Sequence, residues 1–259
     1  MRAIKNLLVL AIILGAIGGG AAVALRVARQ KPSAPETVKS NIVAVSAAGM
    51  YLYAARTGSK VVLFDTGGDP GAHPVDAALA ALGAGRGDVS DLFLTHGHDD
   101  HTAGAAALTS VKVHLGAGDV ALAEGKAAPD ATATKLMHKV IAAPPVTVSH
   151  PISGTGIQTI DVADGKQVKA IPMPGHTPGS YAFLYDGVLF VGDAMVFKQG
   201  RLDRAPAFLD SDKEAAGRAI ASLKQQLGDT ELESICTGHG GCTPKGLGKN
   251  LLDELASRI

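Results

Sequence analysis

Three imidazoles and two carboxylates stand within seven residues in Thr95-His96-Gly97-His98-Asp99-Asp100-His101. Imidazole nitrogen and carboxylate oxygen are the ligand types of a borderline divalent cation such as Zn²⁺. A solvated loop whose aspartate caps a following helix has the same composition, so this motif alone leaves both readings open. Three more loops narrow the choice. Gly175-His176-Thr177-Pro178-Gly179, Gly192-Asp193-Ala194 and Thr237-Gly238-His239-Gly240 each set one His or Asp beside glycine, where the backbone turns tightly and carries a side chain toward a shared site. All four loops follow apolar runs, and this recurrence points to one composite metal site.

The elements that must position these loops read as short strands mixed with helices. Asn41–Ala47, Gly49–Ala55 and Lys60–Asp65 have the composition of three consecutive strands, the last closed by Asp65-Thr66-Gly67-Gly68. An amphipathic helix is expected from Pro74 to Leu82 and a buried strand from Asp91 to Thr95. Strands follow at Val111–Leu115, Val168–Pro172, Ser180–Tyr185 and Val188–Val191, with Asp186-Gly187 a strong hairpin signal between the last two. The Ala-rich stretch 119–143 is ambiguous. Ser211–Leu227 reads as a helix with Ser211 as N-cap and Glu214 completing a capping box. A strand at Ser234–Cys236 and a helix from about Pro244 follow. Such a mixture implies an α/β fold of two packed sheets covered by helices, with about 218 residues from Ile42 onward in a single domain.

Of the 259 residues 46% are apolar, which excludes a disordered chain. Lys+Arg and Asp+Glu both number 24, and there is no Trp, so neither a basic surface nor stacking platforms favour a nucleic-acid partner. The neutrality is an average over unlike segments. Residues 1–31 hold five basic residues and no acid, leaving 19 basic against 24 acidic residues in a negative body. Asn6–Leu25 is an uncharged run long enough to span a bilayer as a helix. A short basic start and Ala22-Val23-Ala24 fit a cleavable secretory signal, whereas the full length fits a retained anchor. Residues 1–40 are therefore expected to form a signal or anchor plus a Pro-containing tether, and residues 41–259 the functional domain. Export to a periplasmic or extracellular location follows, with membrane association through residues 6–25 if they are retained.

The motifs HGHDDH, GHTPG, GDA and TGHG, in this order and preceded by FDTGG, resemble those of the metallo-β-lactamase superfamily over about residues 42–259. The resemblance implies an αβ/βα four-layer sandwich with a two-metal site at one edge of the sheets. It assigns His96, His98 and His176 to one metal, Asp100, His101 and His239 to the second, and Asp193 to a bridge between them. In this pattern the ligating acid directly precedes the last His, so Asp100 is the ligand and Asp99 occupies a variable position, solvated or capping. An aspartate at 193 looks more like glyoxalase II and related hydrolases than like lactamases with Cys or Ser there. Val196 stands where similar lactonases tend to place Tyr, which counts against a lactonase.

Two divalent ions about 3.5 to 4 Å apart would also hold a bridging hydroxide that is nucleophilic at neutral pH. Asp100 is then expected to act catalytically, orienting that hydroxide and passing a proton to the leaving group. The expected reaction is hydrolysis of a small-molecule ester, thioester, lactone or amide, with β-lactam hydrolysis as the alternative. A non-catalytic metal-binding scaffold is the reading of another class, and a scaffold has no need of seven ligands. Zn²⁺ is the expected metal, while Fe²⁺ or Mn²⁺ would accept the same donors.

Asp65 is either a residue that orients a ligand or simply the opening of a turn, and Thr95 and Thr177 are candidates for supporting roles. His73, His114, His138 and His150 have no partner motif and are expected on the surface or in loops. Cys236 and Cys242 bracket the His239 loop; a disulfide would fit an oxidising compartment, and two free thiols are the alternative.

Overall fold

The computed structural model describes residues 31–139 and 142–259. The apolar segment 6–25, expected as a signal or anchor, lies outside the described residues. Among those described, no helix is long and apolar enough to cross a membrane.

The first sheet runs in chain order through β1 (Glu36–Lys39), β2 (Ile42–Ala47), β3 (Met50–Arg56), β4 (Val61–Phe64), β5 (Val89–Phe93), β6 (Lys112–Gly116) and β7 (His150–Ile152). Strands β1 to β4 are antiparallel, and β4 to β7 are parallel. The second sheet contains β8 (Gln158–Asp161), β9 (Gln167–Pro172), β10 (Tyr181–Tyr185) and β11 (Val188–Gly192), and it is completed by β14 (Ser234–Thr237) and β15 (Gly241–Cys242). A separate ribbon, β12 (Met195–Lys198) with β13 (Arg201–Arg204), lies between β11 and β14 in sequence. The helices are α1 (His73–Ala81), α2 (Asp99–Thr102), α3 (Val120–Ala123), α4 (Thr132–His138), α5 (Lys213–Leu227) and α6 (Gly248–Ala256).

Period-two alternation produces the four layers. Along β4, Val61 and Leu63 join a core with Val75 and Leu79 of α1, while Val62 and Phe64 face the other way. That opposite face meets Phe183 and Phe190 of the second sheet, and the Phe64 and Phe190 rings stack at 3.9 Å between centroids. On the far side of the second sheet, Leu184 and Leu189 pack with Ile220 and Leu223 of α5 and Leu252 of α6. The chain is thus an αβ/βα four-layer sandwich.

The tether expected to reach residue 40 is shorter than the composition implied. Glu36–Lys39 pairs antiparallel with β2, because Thr37-Val38 is good strand sequence and Lys39 is fixed by Glu233 at 2.6 Å and Asp186 at 3.1 Å. The hairpin at Asp186-Gly187 forms with both φ angles positive, as a type I′ turn demands. Helix α5 starts two residues later than expected. Its cap is Asp212, which accepts from the Glu214 and Ala215 amides, while the Ser211 hydroxyl donates to the carbonyl of His176. The last helix begins at Gly248 rather than near Pro244. The ambiguous stretch holds two short helices, α3 and α4, joined by loop. Cys236 and Cys242 are disulfide-bonded and tie β14 to β15 on either side of His239.

Candidate metal centre

The polar loops all leave the carboxyl ends of strands at one edge of the two sheets, the usual location of sites in sheets with parallel strands. From β5 the chain passes through His96 and His98 into α2, where Asp100 and His101 occupy the first turn. The loop after β9 brings His176, the end of β11 brings Asp193, and the loop after β14 brings His239. Residues 143 positions apart in the chain thereby meet.

Nε2 of His96 lies 3.0 Å from Nδ1 of His98, which is 3.1 Å from Nε2 of His176. Ligand atoms of these three residues fall within 4.8 Å of one another, as do those of Asp100, His101 and His239, and those of His96, His101 and Asp193. Asp193 stands between the sets: Oδ1 is 3.3 Å from His101 Nε2, and Oδ2 is 3.4 Å from His239 and 3.7 Å from His176. Asp100 Oδ2 lies 3.3 Å from His239 Nε2. His96, His98, His101 and His176 are buried, whereas the Asp100 and His239 side chains are 36% and 42% exposed and open to solvent.

The outer ring nitrogens are held from behind. Asp65 Oδ2 lies 2.8 Å from Nδ1 of His101, Asp210 Oδ1 lies 3.2 Å from Nδ1 of His176, and the Gly49 carbonyl lies 3.0 Å from Nδ1 of His239. Thr95 donates its hydroxyl to Asp65 at 2.8 Å and sits 3.1 Å from Nδ1 of His96. Each of these rings consequently turns Nε2 inward, and such partners set tautomer and direction. Asp65 is thus the orienting residue, and its own φ of +59° is the turn conformation that the D-T-G-G sequence accommodates.

Two supports were not legible in the sequence. Buried Asp119 accepts from the Gly97 amide, the Thr177 hydroxyl and the Gly179 amide, binding the first histidine loop to the second. Asp210 is the partner of His176. Both are isolated aspartates in loops, and the one signal for Asp119 is its place at a strand end after Gly116-Ala117-Gly118. Two expectations are corrected. Asp99 neither caps α2, whose N-cap is His98, nor is left to solvent; it pairs with Nδ1 of His138 at 2.7 Å and accepts from the Ala143 amide at 2.7 Å. His114 is buried against Asp91 at 2.9 Å instead of lying on the surface.

The electrostatics are those of a site prepared for cations. Burial, reinforced by His176, lowers His98 to about 4. Burial and the neighbouring imidazoles push His96 well down as well, so both are neutral donors. Burial would raise Asp100 and Asp193, but the adjacent His101 and His239 outweigh it and keep both carboxylates ionised. His239 is raised to about 9, first by Asp193 and then, against burial, by Asp100. His101 Nε2 and Asp193 Oδ1 are buried without a hydrogen-bond partner. Unpartnered buried polar atoms are costly; the neutral nitrogens of His96 and His98 beside two ionised carboxylates are what divalent cations need, and a cation would take the place of the protons that His101 and His239 hold without it. The residues therefore fit such ions.

Glycine makes the close approach possible. A Cβ at Gly238 would lie 2.7 Å from Cε1 of His101 and closer still to Asp193. Gly192 has φ +52°, and a Cβ there would run into the Thr95 side chain. Over the cluster lies a cavity of about 290 Å³ whose walls include Pro129, Thr134 and Met137 from the 119–143 stretch and Leu209 from the loop before α5.

A four-layer αβ/βα sandwich with clustered histidines and aspartates at its strand ends defines a metallo-hydrolase architecture. Residues 50–239 match the metallo-β-lactamase superfamily, and the chain belongs to that family. It is 28% identical over 196 residues to a hydroxyacylglutathione hydrolase of Halorhodospira halophila, covering 73% of this chain and 60% of that protein. It is 31% identical over 128 residues to the enzyme of the same name from Shewanella oneidensis, covering 49% of this chain and 42% of that protein. The matches thus span about half the length of these relatives. Among solved structures, a subclass B3 metallo-β-lactamase of Bradyrhizobium japonicum superimposes with a TM-score of 0.62 at 24% identity, covering 83% of this chain and 81% of that one. A B3 metallo-β-lactamase with an active-site glutamic acid gives 0.67 at 20% identity, covering 92% of both chains. At these identities the likeness concerns the fold.

Proposed function

We propose that this chain is a dinuclear metal-dependent hydrolase of small ester, thioester, lactone or amide substrates. The observation that carries the reading is the position of Asp193, whose two oxygens face His101 on one side and His176 and His239 on the other. A carboxylate within reach of residues from both sets could serve two ions, one that would be held by His96, His98 and His176 and another by Asp100, His101 and His239. Zinc suits this nitrogen-rich donor set. When bound, two such ions polarise a carbonyl and acidify water enough for attack at neutral pH.

The chain's own residues supply the rest. Asp65, Asp210 and Thr95 fix the imidazoles before substrate arrives, so reorganisation during the reaction is small. Asp100 borders the cavity; its carboxylate accepts a proton from the attacking water and returns it to the leaving oxygen or sulfur. Pro129, Met137 and Leu209 give the cavity beside the reacting centre an apolar wall. Sequence relatives named hydroxyacylglutathione hydrolase support a thioester among the candidates.

The basic start with its apolar run, together with the Cys236–Cys242 disulfide, supports an exported protein, since disulfides persist in oxidising compartments. Metal analysis after zinc loading should give close to two ions per chain, and the loaded protein should hydrolyse at least one substrate among thioesters, esters, lactones and a chromogenic cephalosporin. Near-zero metal, or no turnover across that set, would reject the reading. The mass of the mature protein and its behaviour on membrane fractionation separate a cleaved signal from a retained anchor.

A further inference from the structure

The cavity over the metal centre has a lopsided lining. Its charged members beyond the histidines are Asp99, Asp100 and Asp193, and neither Lys nor Arg is among them. Its outer walls are apolar, with Pro129 and Met137 on one side and Leu209 on the other. Of these wall residues Met137 is 42% exposed, open to water for so large an apolar side chain. Apolar surface gathered at the mouth of a site marks what enters it. The hydroxyl of Thr134 is turned to the Ala131 carbonyl at 3.0 Å, so this wall residue's polar group is already engaged.

A carboxylate on a substrate, away from the reacting carbonyl, would give up hydration in this cavity and find no Lys or Arg side chain to replace it. Charge in a desolvated site is unfavourable without a partner. Metal would be held by the histidines, Asp100 and Asp193 at the reacting end, so a charge carried at the far end of a long substrate would meet Pro129, Met137 and Leu209 instead. A glutathione thioester, whose tripeptide is anionic at neutral pH, carries such a remote charge. An alkyl chain, in contrast, gains by covering Pro129, Met137 and Leu209, because apolar surface then leaves water.

We infer that this site selects a neutral substrate with an apolar acyl chain, an ester or thioester of a medium-chain carboxylic acid, over an anionic one. The inference rests on the hydrolase reading above and deepens it. In the reaction, water oxygen bonds to the acyl carbon, the C–S or C–O bond breaks with its electron pair on the departing atom, and a water proton goes to that atom. The products are the carboxylic acid and a neutral thiol or alcohol.

The test pairs turnover with binding. On zinc-loaded protein, S-octanoyl-N-acetylcysteamine should be hydrolysed with kcat/KM at least tenfold above both S-acetyl-N-acetylcysteamine and S-octanoylglutathione. In parallel, the non-hydrolysable thioether S-octyl-N-acetylcysteamine should bind in calorimetry more tightly than S-octylglutathione and should protect residues 127–138 and 205–210 from hydrogen exchange. Leu209→Arg or Met137→Lys should shift both preferences toward the glutathione compounds while metal content stays unchanged. Equal or better performance of the glutathione compounds on wild type, or no binding of either thioether, overturns the inference. Binding as expected without turnover of any thioester, ester, lactone or cephalosporin leaves the pocket assignment standing and rejects the hydrolase reading instead.

Discussion

Nδ1 of His138 stands 2.7 Å from Oδ2 of Asp99, so the helix that walls the cavity is tied to the loop that carries the clustered histidines. The second oxygen of Asp99 accepts from the Ala143 amide, closing the other end of the same wall. An aspartate inside the histidine motif thus serves the pocket.

Breaking that tie is expected to loosen the wall. In His138→Ala and Asp99→Ala, hydrogen exchange over residues 127–143 should quicken. A half-buried bond of this kind contributes on the order of 1 kcal/mol, so KM should rise severalfold with metal content unchanged and kcat little altered. Asp99→Ala should have the larger effect, because it also strands the Ala143 amide.

Removing the support behind a ring should weaken the ions without removing a ligand. Asp65→Asn and Asp210→Asn are each expected to reduce metal affinity by roughly 10- to 100-fold, read by competition with a chromogenic chelator. The fold should persist by circular dichroism. Affinity equal to wild type in both variants would mean that the imidazoles are aligned by packing alone.

Removing a ligand should be more severe. His98→Ala and Asp193→Ala are both expected to abolish hydrolysis and leave a folded protein. Asp193→Ala should lower bound metal at both positions, since its oxygens face both sets of residues. Retention of two ions in that variant would place the bridge elsewhere.

A single methyl group should also empty the site. Gly238 has no positive φ to protect, so Gly238→Ala is acceptable to the backbone, but its Cβ meets His101 and Asp193. At least tenfold weaker metal binding is expected, with chemical denaturation of the metal-free protein close to wild type.

Acid should act through a different pair. Burial raises the Asp91 carboxyl, but the bond from His114 outweighs it and holds Asp91 below the usual carboxylate range. A depressed folded pKa gives stability that is present above the ordinary carboxylate pKa of about 3.9 and lost as pH falls through the lower folded value. In metal-free protein, Asp91→Asn should remove part of this acid limb from the urea midpoint between pH 2.5 and 6, and identical slopes in the two proteins would contradict the assignment.

Most of the strand framework was legible because alternation and turn chemistry act locally. Val61–Phe64 with its closing Asp65-Thr66-Gly67, and Tyr185-Asp186-Gly187-Val188 as a hairpin, need nothing from elsewhere in the chain. Glycine-flanked His and Asp residues at strand ends likewise announced which side chains converge. What sequence could not show depended on partners far along the chain. Glu36–Lys39 became a strand through β2 and Glu233, Asp119 found its role by bridging Gly97 and Gly179, and Asp99 found His138. Helices α3 and α4 are too short for a hydrophobic period to register.

The separation of 143 positions between His96 and His239 has a consequence for biosynthesis. A nascent chain displays His96, His98 and His101 long before it contains the second sheet. Only after β14 has been made and docked beside β11 does the composite pocket for cations exist. A cation that draws donors from both sets of residues would therefore need both halves of the chain, and a fragment ending before residue 239 would lack one of those donors.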